Sequence, residues 1–442
     1  MQLQKSSLRF RSDGWSENVS RLTGLRLLSR VGRSGAKYTI CPRPGFYTRA
    51  AGVAVGFGAG WDVCSCISGE RRIPAGAAHF LEHILFKKND RNIADEMGDR
   101  GASCNAETGL SYTAYYFDCP TNFDENLSSL MDIVFDSTLT VETVEAERGI
   151  ILAEYYQYID SPHVKAMLAL RRSLFGDGNF GSEIAGTPDS IGVMTQKDLA
   201  ELHSAFYTPP ALHFVAVGDI DEREFMETVE RRIAGLPSYG KPPEKKVELS
   251  SVVDTTRIEF TDNTPRPLMG IAYRFSLPSI EDDERRRKVG LALSLGTKLL
   301  FGDSSALYTE LLDSGLADES FSHVISADGE QGYLILGSGT NDPDALCSKL
   351  ESALSTKNLR LAINDRALDV AKRRFAGKAV FATGSIGSTL GMLLGPASGR
   401  FPVKRLNEDF IESVTVRQLV SVLRRSLSEF PPARVLVRPR GD

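Results

Sequence analysis

The sequence predicts an α+β fold made of two homologous halves, each a mixed, mainly antiparallel sheet with helices packed on it. Three observations lead there. Strand-like and helix-like segments are interspersed from residue 37 to residue 337 of this 442-residue chain instead of belonging to one class. A stretch rich in Pro, Gly and charge (PSYGKPPEKK, 237–246) divides the chain into parts of about 200 residues each. The order strand, helix, strands, helices then recurs in the second part, as an ancient duplication would leave it. The expected domains are 1–240 and 247–442.

The elements read in order as follows. Lys37–Cys41 and Ala51–Phe57 are strand candidates, the second followed by Gly58 and Gly60. A helix is expected over Ala77–Lys88, with Asn89 and Asp90 beyond its end, and another over Ile93–Arg100. Ala102–Glu107 and Tyr112–Cys119 read as two strands joined by a short turn containing Gly109; Thr, Tyr and Phe enrich the second. Residues 123–175 carry apolar side chains at helical spacing, first in Leu127, Leu130, Met131 and Val134, then in Ile150, Ile151, Ala153, Tyr155 and Tyr158. Pro162 ends or redirects that run. Leu212–Val217 is a strand closing at Gly218, and Glu222–Ala234 is an amphipathic helix. The second part opens with a strand (Leu268–Arg274) and a long helix (Asp282–Leu300). Strands near Ser320–Ile325 and Gly332–Gly337 follow.

Composition narrows the function. Hydrophobic residues make up 42% and charged residues 25%, ordinary for a globular protein with a large core. The net charge of −5, with no basic patch and no interleaved aromatic and basic residues, points away from nucleic acid. No apolar run reaches the length of a membrane span. Six cysteines (Cys41, Cys64, Cys66, Cys104, Cys119, Cys347) are sparse for so long a chain and read as reduced thiols of a cytoplasmic protein. Residues 1–34 hold seven Lys and Arg against Asp13 and Glu17. This composition resembles a mitochondrial transit peptide, which keeps a matrix location open; an ordinary extension leading into the first strand is the other reading.

The chemistry lies in His79-Phe80-Leu81-Glu82-His83, an H-x-x-E-H sequence. On a helix, positions i and i+4 share a face, so both imidazoles can reach one metal ion, and Zn²⁺ favours such nitrogens. Glu82, at i+3, lies beside that face, able to reach a water without ligating the metal. H-x-x-E-H is the inverzincin motif. Two histidines so spaced can also simply be packed or exposed. A catalytic zinc needs a third protein ligand, and the best candidate lies in ERGIILAE (Glu147–Glu154), whose two glutamates are two helical turns apart on one face. One can ligate while the other supports, and a carboxylate buried among apolar residues needs such a partner. The remaining histidines read as structural: His203 and His213 flank YTPP, His213 within a strand pattern. His163 follows Pro162 shortly after Glu154, and His323 has no evident partner.

The segment GAAHFLEHILFK (Gly76–Lys87) resembles the pitrilysin/insulinase metallopeptidase family, which includes mitochondrial processing peptidase. ERGIILAE is similar to that family's second signature. The resemblance implies Glu154 as third ligand and Glu147 as a supporting acid. GASCNAET (Gly101–Thr108), followed by Thr113 and Tyr115, resembles the family's G-A-x-x-N-A-x-T element, which leads into an edge strand where substrate backbone pairs. That implies substrate contact at Asn105, Ala106 and Glu107. Gly186–Asp221 is similar to the end of the family's first half, and Ser304–Phe321 resembles a short-chain bacterial subgroup often encoded beside a non-catalytic relative.

One departure stands out. Family members carry an Arg and a Tyr seven apart in the second half, holding the substrate carbonyl. Here ELLDSGLAD (310–318) has Leu312 at the Arg position and Asp318 near the Tyr position, with Tyr308 as a candidate substitute. The resemblance thus implies a Zn²⁺-dependent endopeptidase whose halves face each other across a chamber admitting extended peptides. It also implies a homologous partner subunit or a homodimer, with the missing group supplied by another residue or by the partner. A non-catalytic peptide-binding or scaffold subunit is the competing reading.

Overall fold

The structure is a computed structural model that describes residues 9–66, 69–88, 91–136, 139–236, 242–279, 282–397 and 411–440. Two compact units emerge. The first is drawn from 1–155, 183–248 and 378–409, the second from 156–182, 249–377 and 410–442. The change of unit expected near 237–246 falls at residue 248, and 237–241 lie outside the described residues. Two further segments cross over: 156–182 groups with the later part of the chain and 378–409 with the earlier part.

The strands of the first unit are β1 (Arg9–Phe10), β2 (Ser16–Val19), β3 (Arg26–Val31), β4 (Lys37–Pro42), β5 (Arg49–Val55), β6 (Val63–Cys66), β7 (Gly69–Arg72), β8 (Lys87–Lys88), β9 (Arg91–Asn92), β10 (Ser103–Thr108), β11 (Thr113–Cys119), β12 (Leu212–Gly218) and β13 (Lys245–Lys246). Those of the second are β14 (Ile258–Asp262), β15 (Leu268–Ser276), β16 (Ser322–Asp328), β17 (Gln331–Gly339) and β18 (Ala433–Pro439). The helices along the chain are α1 (Ala77–Ile84), α2 (Ile93–Asp99), α3 (Phe123–Phe135), α4 (Val141–Ile159), α5 (Pro162–Phe175), α6 (Pro188–Val193), α7 (Gln196–Phe206), α8 (Glu222–Ala234), α9 (Asp283–Phe301), α10 (Ala306–Asp313), α11 (Pro343–Ala353), α12 (Thr356–Ala362), α13 (Asp365–Ala382), α14 (Ile386–Ala397) and α15 (Val416–Leu427).

The main sheet of the first unit has the order β1-β2-β3-β4-β12-β5-β11-β10, and that of the second has β14-β18-β15-β17-β16. Among the described residues, β4 and β12 are the one parallel pair of the first sheet, and β14 and β18 that of the second. The five strands β4-β12-β5-β11-β10 therefore repeat the order and directions of β14-β18-β15-β17-β16. The duplication suspected from element order is present as topology.

The crossover segments have a physical reason. Each sheet has a face of small and branched apolar residues that must be covered. In the first unit, Ala50, Ala54, Ala114, Val215 and Val217 pack against Ile386, Leu390, Leu393 and Leu394 of α14. In the second unit, α5 lies on the equivalent strands β15 and β18. A glycine sits under each helix. A Cβ on Gly52 of β5 would stand 2.8 Å from Leu394, and one on Gly270 of β15 would stand 3.0 Å from Leu170. Each sheet is thus roofed by a helix from the other half of the sequence.

Most expected elements fall within two residues of their expected ends. The helix expected over Ala77–Lys88 is shorter. It stops at Ile84, a tight turn brings the Phe86 amide onto the His83 carbonyl, and Lys87–Lys88 pairs with Arg91–Asn92 as a two-residue ribbon. Asn89 and Asp90 lie outside the described residues. The basic N-terminal stretch supplies β1–β3, with Arg11 bonded to Glu222 and Arg26 to Glu17.

Candidate metal centre

Helix α1 starts at Gly76, whose left-handed backbone (φ 84°) suits glycine. Ala77, Ala78, Phe80, Leu81 and Ile84 bury one side of α1 in the main core, which leaves His79, Glu82 and His83 along a common edge. Helix α4 runs alongside. Its Arg148 donates to the carbonyls of Ile191 and Met194 and stands 5.9 Å from the Phe80 ring, fixing α4 against α6 and α1. Glu147 and Glu154 then point toward α1.

Among the described residues, His79, His83 and Glu154 form the group able to hold a metal ion, with one ligand atom from each within 4.8 Å of the others. Nε2 of His79 lies 3.8 Å from a Glu154 oxygen, and Nε2 of His83 lies 3.3 Å from the other. The two rings are 4.6 Å apart. Two imidazoles and one carboxylate are a donor set of the kind found in catalytic zinc sites. Burial, and secondarily the His83 charge, lowers the His79 pKa from 6.5 to about 4, so its lone pair is free at neutral pH. Its Nδ1 is buried, with no hydrogen-bond partner among the described residues.

The supporting shell is asymmetric. Glu147 is buried, and its carboxylate lies 3.5 Å from Nδ1 of His83 and 3.7 Å from Nζ of Lys87. His83 therefore has one glutamate at each ring nitrogen. Burial pulls its pKa down, but Glu147, Glu82 and Glu154 outweigh that and leave it raised. Burial raises the pKa of Glu82, further lifted by Glu154 and Glu107, while the Thr108 hydroxyl that donates to it works the other way. The argument that a buried carboxylate needs a partner fits Glu147; Glu154, with half of its side chain exposed, is not such a group.

Strand β10 is the edge of its sheet, as the G-A-x-x-N-A-x-T resemblance implied. Its side chains alternate. Cys104 and Ala106 pack on the core that contains α1, and Thr108 reaches Glu82. Asn105 and Glu107 pair in register with Tyr116 and Ala114, on the face that α14 covers, and are exposed. Asn105 accepts from the Ala106 amide at 2.8 Å, and Glu107 accepts from the Tyr112 hydroxyl at 2.6 Å. Those two side chains therefore point away from the metal face. Tyr308 stands on α10 of the second unit, its ring 6.0 Å from Phe321. Leu312 is half-buried, and Asp318 accepts from Ser320 and lies 3.5 Å from Arg266.

Two residues of the site were not found from sequence. Thr108 closes the N-A-x-T element, and strand alternation places it with Ala106 on the metal face. Lys87 was read as part of a continuing helix; the turn after Ile84 is what returns it to Glu147. His203 bonds the Val134 carbonyl at 2.8 Å and stacks on Tyr207, and His213 bonds Thr39 at 2.8 Å. His163 is exposed on α5 and His323 lies on β16, its ring 6.5 Å from Phe301. Cys41, Cys104, Cys119 and Cys347 are free thiols. No described helix is long and apolar enough to cross a membrane.

His83 sets a pH dependence. Its raised pKa means that the metal-free site binds a proton there as pH falls, starting above the ordinary 6.5, whereas His79 stays neutral down to about pH 4. A protonated imidazole cannot ligate. Zinc affinity is therefore expected to fall with acidification, by up to about tenfold per pH unit below the His83 pKa, from displacement of one proton. Removing the nearby charge with Glu147→Gln should move the onset to lower pH. Titration of zinc binding between pH 8 and 5 checks this; an unchanged onset in that variant would refute the assignment.

Comparison with known proteins identifies the family. Residues 68–188 match the insulinase family (peptidase family M16), and 194–369 match the peptidase M16 inactive domain. The three ligand candidates all fall in the first match. The chain is 32% identical over 288 residues to the uncharacterized zinc protease YmfH of Bacillus subtilis, covering 64% of this chain and 66% of the relative, just under two thirds of its length. It is 25% identical over 384 residues to the zinc protease YmxG of the same organism, covering 83% and 89%. An M16-like peptidase from Alicyclobacillus acidocaldarius shares the fold with a TM-score of 0.84 at 24% identity, over 96% of this chain and all of that one. Pitrilysin shares it with a TM-score of 0.76 at 16% identity, over 97% of this chain and 47% of that one.

Proposed function

The chain belongs to the insulinase (M16) peptidase family, and on that premise we propose that it is a zinc-dependent endopeptidase acting on extended peptides. The observation that carries this reading is the convergence of His79, His83 and Glu154 beside a separate, half-buried carboxylate, Glu82. Bound by those three residues, zinc would supply Lewis acidity to polarise a scissile carbonyl. Glu82 takes the proton of the attacking water and passes it to the leaving amine; burial raises its pKa in the direction that suits a base which must later act as an acid. Glu147 holds His83 by its far nitrogen, the outer-shell arrangement that fixes ring orientation and tautomer. The open edge of β10 offers backbone groups to a peptide in extended form.

The second reading is that a homologous partner, or a second copy, is needed for turnover. It is favoured by Asp318, which is engaged by Arg266, Ser320 and Ser338 instead of standing free where the family places its carbonyl-binding Tyr. One experiment separates the readings from a scaffold role. The purified chain is assayed for zinc content and for cleavage of a quenched peptide library. About one zinc per chain with cleavage supports a self-sufficient peptidase. Zinc without cleavage supports the partner requirement. Absence of zinc overturns the metal-site assignment.

A further inference from the structure

Glu82 is held from one side only. Thr108 Oγ1 donates to its Oε2, and among the described residues no other side chain donates to either carboxylate oxygen. The donor is itself fixed. Thr108 is the last residue of β10, paired in register with Thr113, whose hydroxyl donates to the Phe57 carbonyl at 2.9 Å. The turn that follows is closed by the Gly109 amide on the Tyr112 carbonyl at 2.8 Å. It is clamped from outside by the Ala59 and Gly60 amides, which donate to the carbonyls of Gly109 and Leu110 at 2.9 and 2.7 Å. Thr108 therefore presents its hydroxyl from a backbone with little freedom, and β-branching restricts its χ1 as well. A base that must meet a water at one angle gains from such a fixed donor, because the orientation is set before substrate arrives.

We propose that Thr108 is a positioning residue for Glu82: it ties down Oε2 and so leaves Oε1 as the oxygen that receives the proton. The inference rests on Glu82 acting as the base. It ties the end of the edge strand to the chemistry, since Ala106, two residues back on the same face, is where a bound peptide would run. Nothing beyond one hydroxyl is asked to do this, so the test is a nearly isosteric pair.

Thr108→Val removes the hydroxyl and keeps the shape; Thr108→Ser keeps the hydroxyl. The expected results are unchanged zinc content in both variants, kcat lowered by about tenfold to a hundredfold in Thr108→Val with KM within about twofold, and recovery of most of that loss in Thr108→Ser. Crystal structures of the same proteins give a reading independent of turnover: the Glu82 carboxylate should leave its position in Thr108→Val and keep it in Thr108→Ser. Wild-type kcat in Thr108→Val overturns the proposal, as does a Glu82 carboxylate that stays in place, or a Thr108→Ser variant as impaired as Thr108→Val. Full activity in Glu82→Gln would instead refute the base assignment, an outcome distinct from any of these.

Discussion

Glu82→Gln is expected to lower kcat by about a hundredfold to ten-thousandfold, the range that a positioned general base supplies, while zinc content stays near that of the wild type. The physical case is specific. The substitution alters neither ligand nitrogen, and the replacement amide oxygen can still accept from Thr108, so the local packing should survive. What disappears is the ability to accept and return a proton. Burial makes the Glu82 charge costly and Glu154 and Glu107 repel it, against the attraction of His83, so the variant should melt close to the wild type. Measuring kcat, KM, zinc and melting temperature together checks this. Undiminished kcat would remove Glu82 from the mechanism; loss of zinc would place it among the ligands.

Glu154→Ala should abolish zinc retention. Loss of an outer-shell partner of a metal site costs about 10- to 100-fold in affinity, and loss of a ligand itself should exceed that. Of the three candidates Glu154 gives the cleanest test, because half of its side chain is exposed and its truncation leaves no buried void. His79→Ala, by contrast, would empty a buried position and confuse metal loss with unfolding. The readouts are zinc per chain after dialysis and the shift of melting temperature on adding zinc. A ligand that binds only the folded state raises that temperature, so the wild type should respond and Glu154→Ala should not. Full zinc content in the variant would remove Glu154 from the ligand set.

The candidate ligand residues were legible because the chemistry proposed for them is carried by local spacing. His79 and His83 need only a helix to meet, and Glu147 and Glu154 need only a second one. Spacing alone could not assign burial between the two glutamates; that depends on Lys87 turning back after Ile84 and on Arg148 fixing α4. The direction of the β10 side chains was equally out of reach, because a strand read alone does not say which of its faces meets α1. Strands with runs such as AGVAVGF were found from composition, whereas β2 and β3 were obscured by charged residues such as Arg26, which pairs with Glu17 on the neighbouring strand. The helices between 343 and 382 mix charge through most of their turns and gave no clear stripe. The exchange of α5 and α14 between halves had no local signal at all.

That exchange has a consequence for the order in which a ribosome delivers the parts. The first sheet has its last strand by residue 218, but the helix that roofs it ends at residue 397. During the intervening synthesis the surface formed by Ala50, Ala54, Ala114, Val215 and Val217 is finished and bare. In the other direction, α5 is complete by residue 175 while β15, on which it rests, does not begin until 268. The nascent chain thus carries an uncovered sheet and an unseated helix at the same time. Neither sheet can be covered until the segment that completes it has been made.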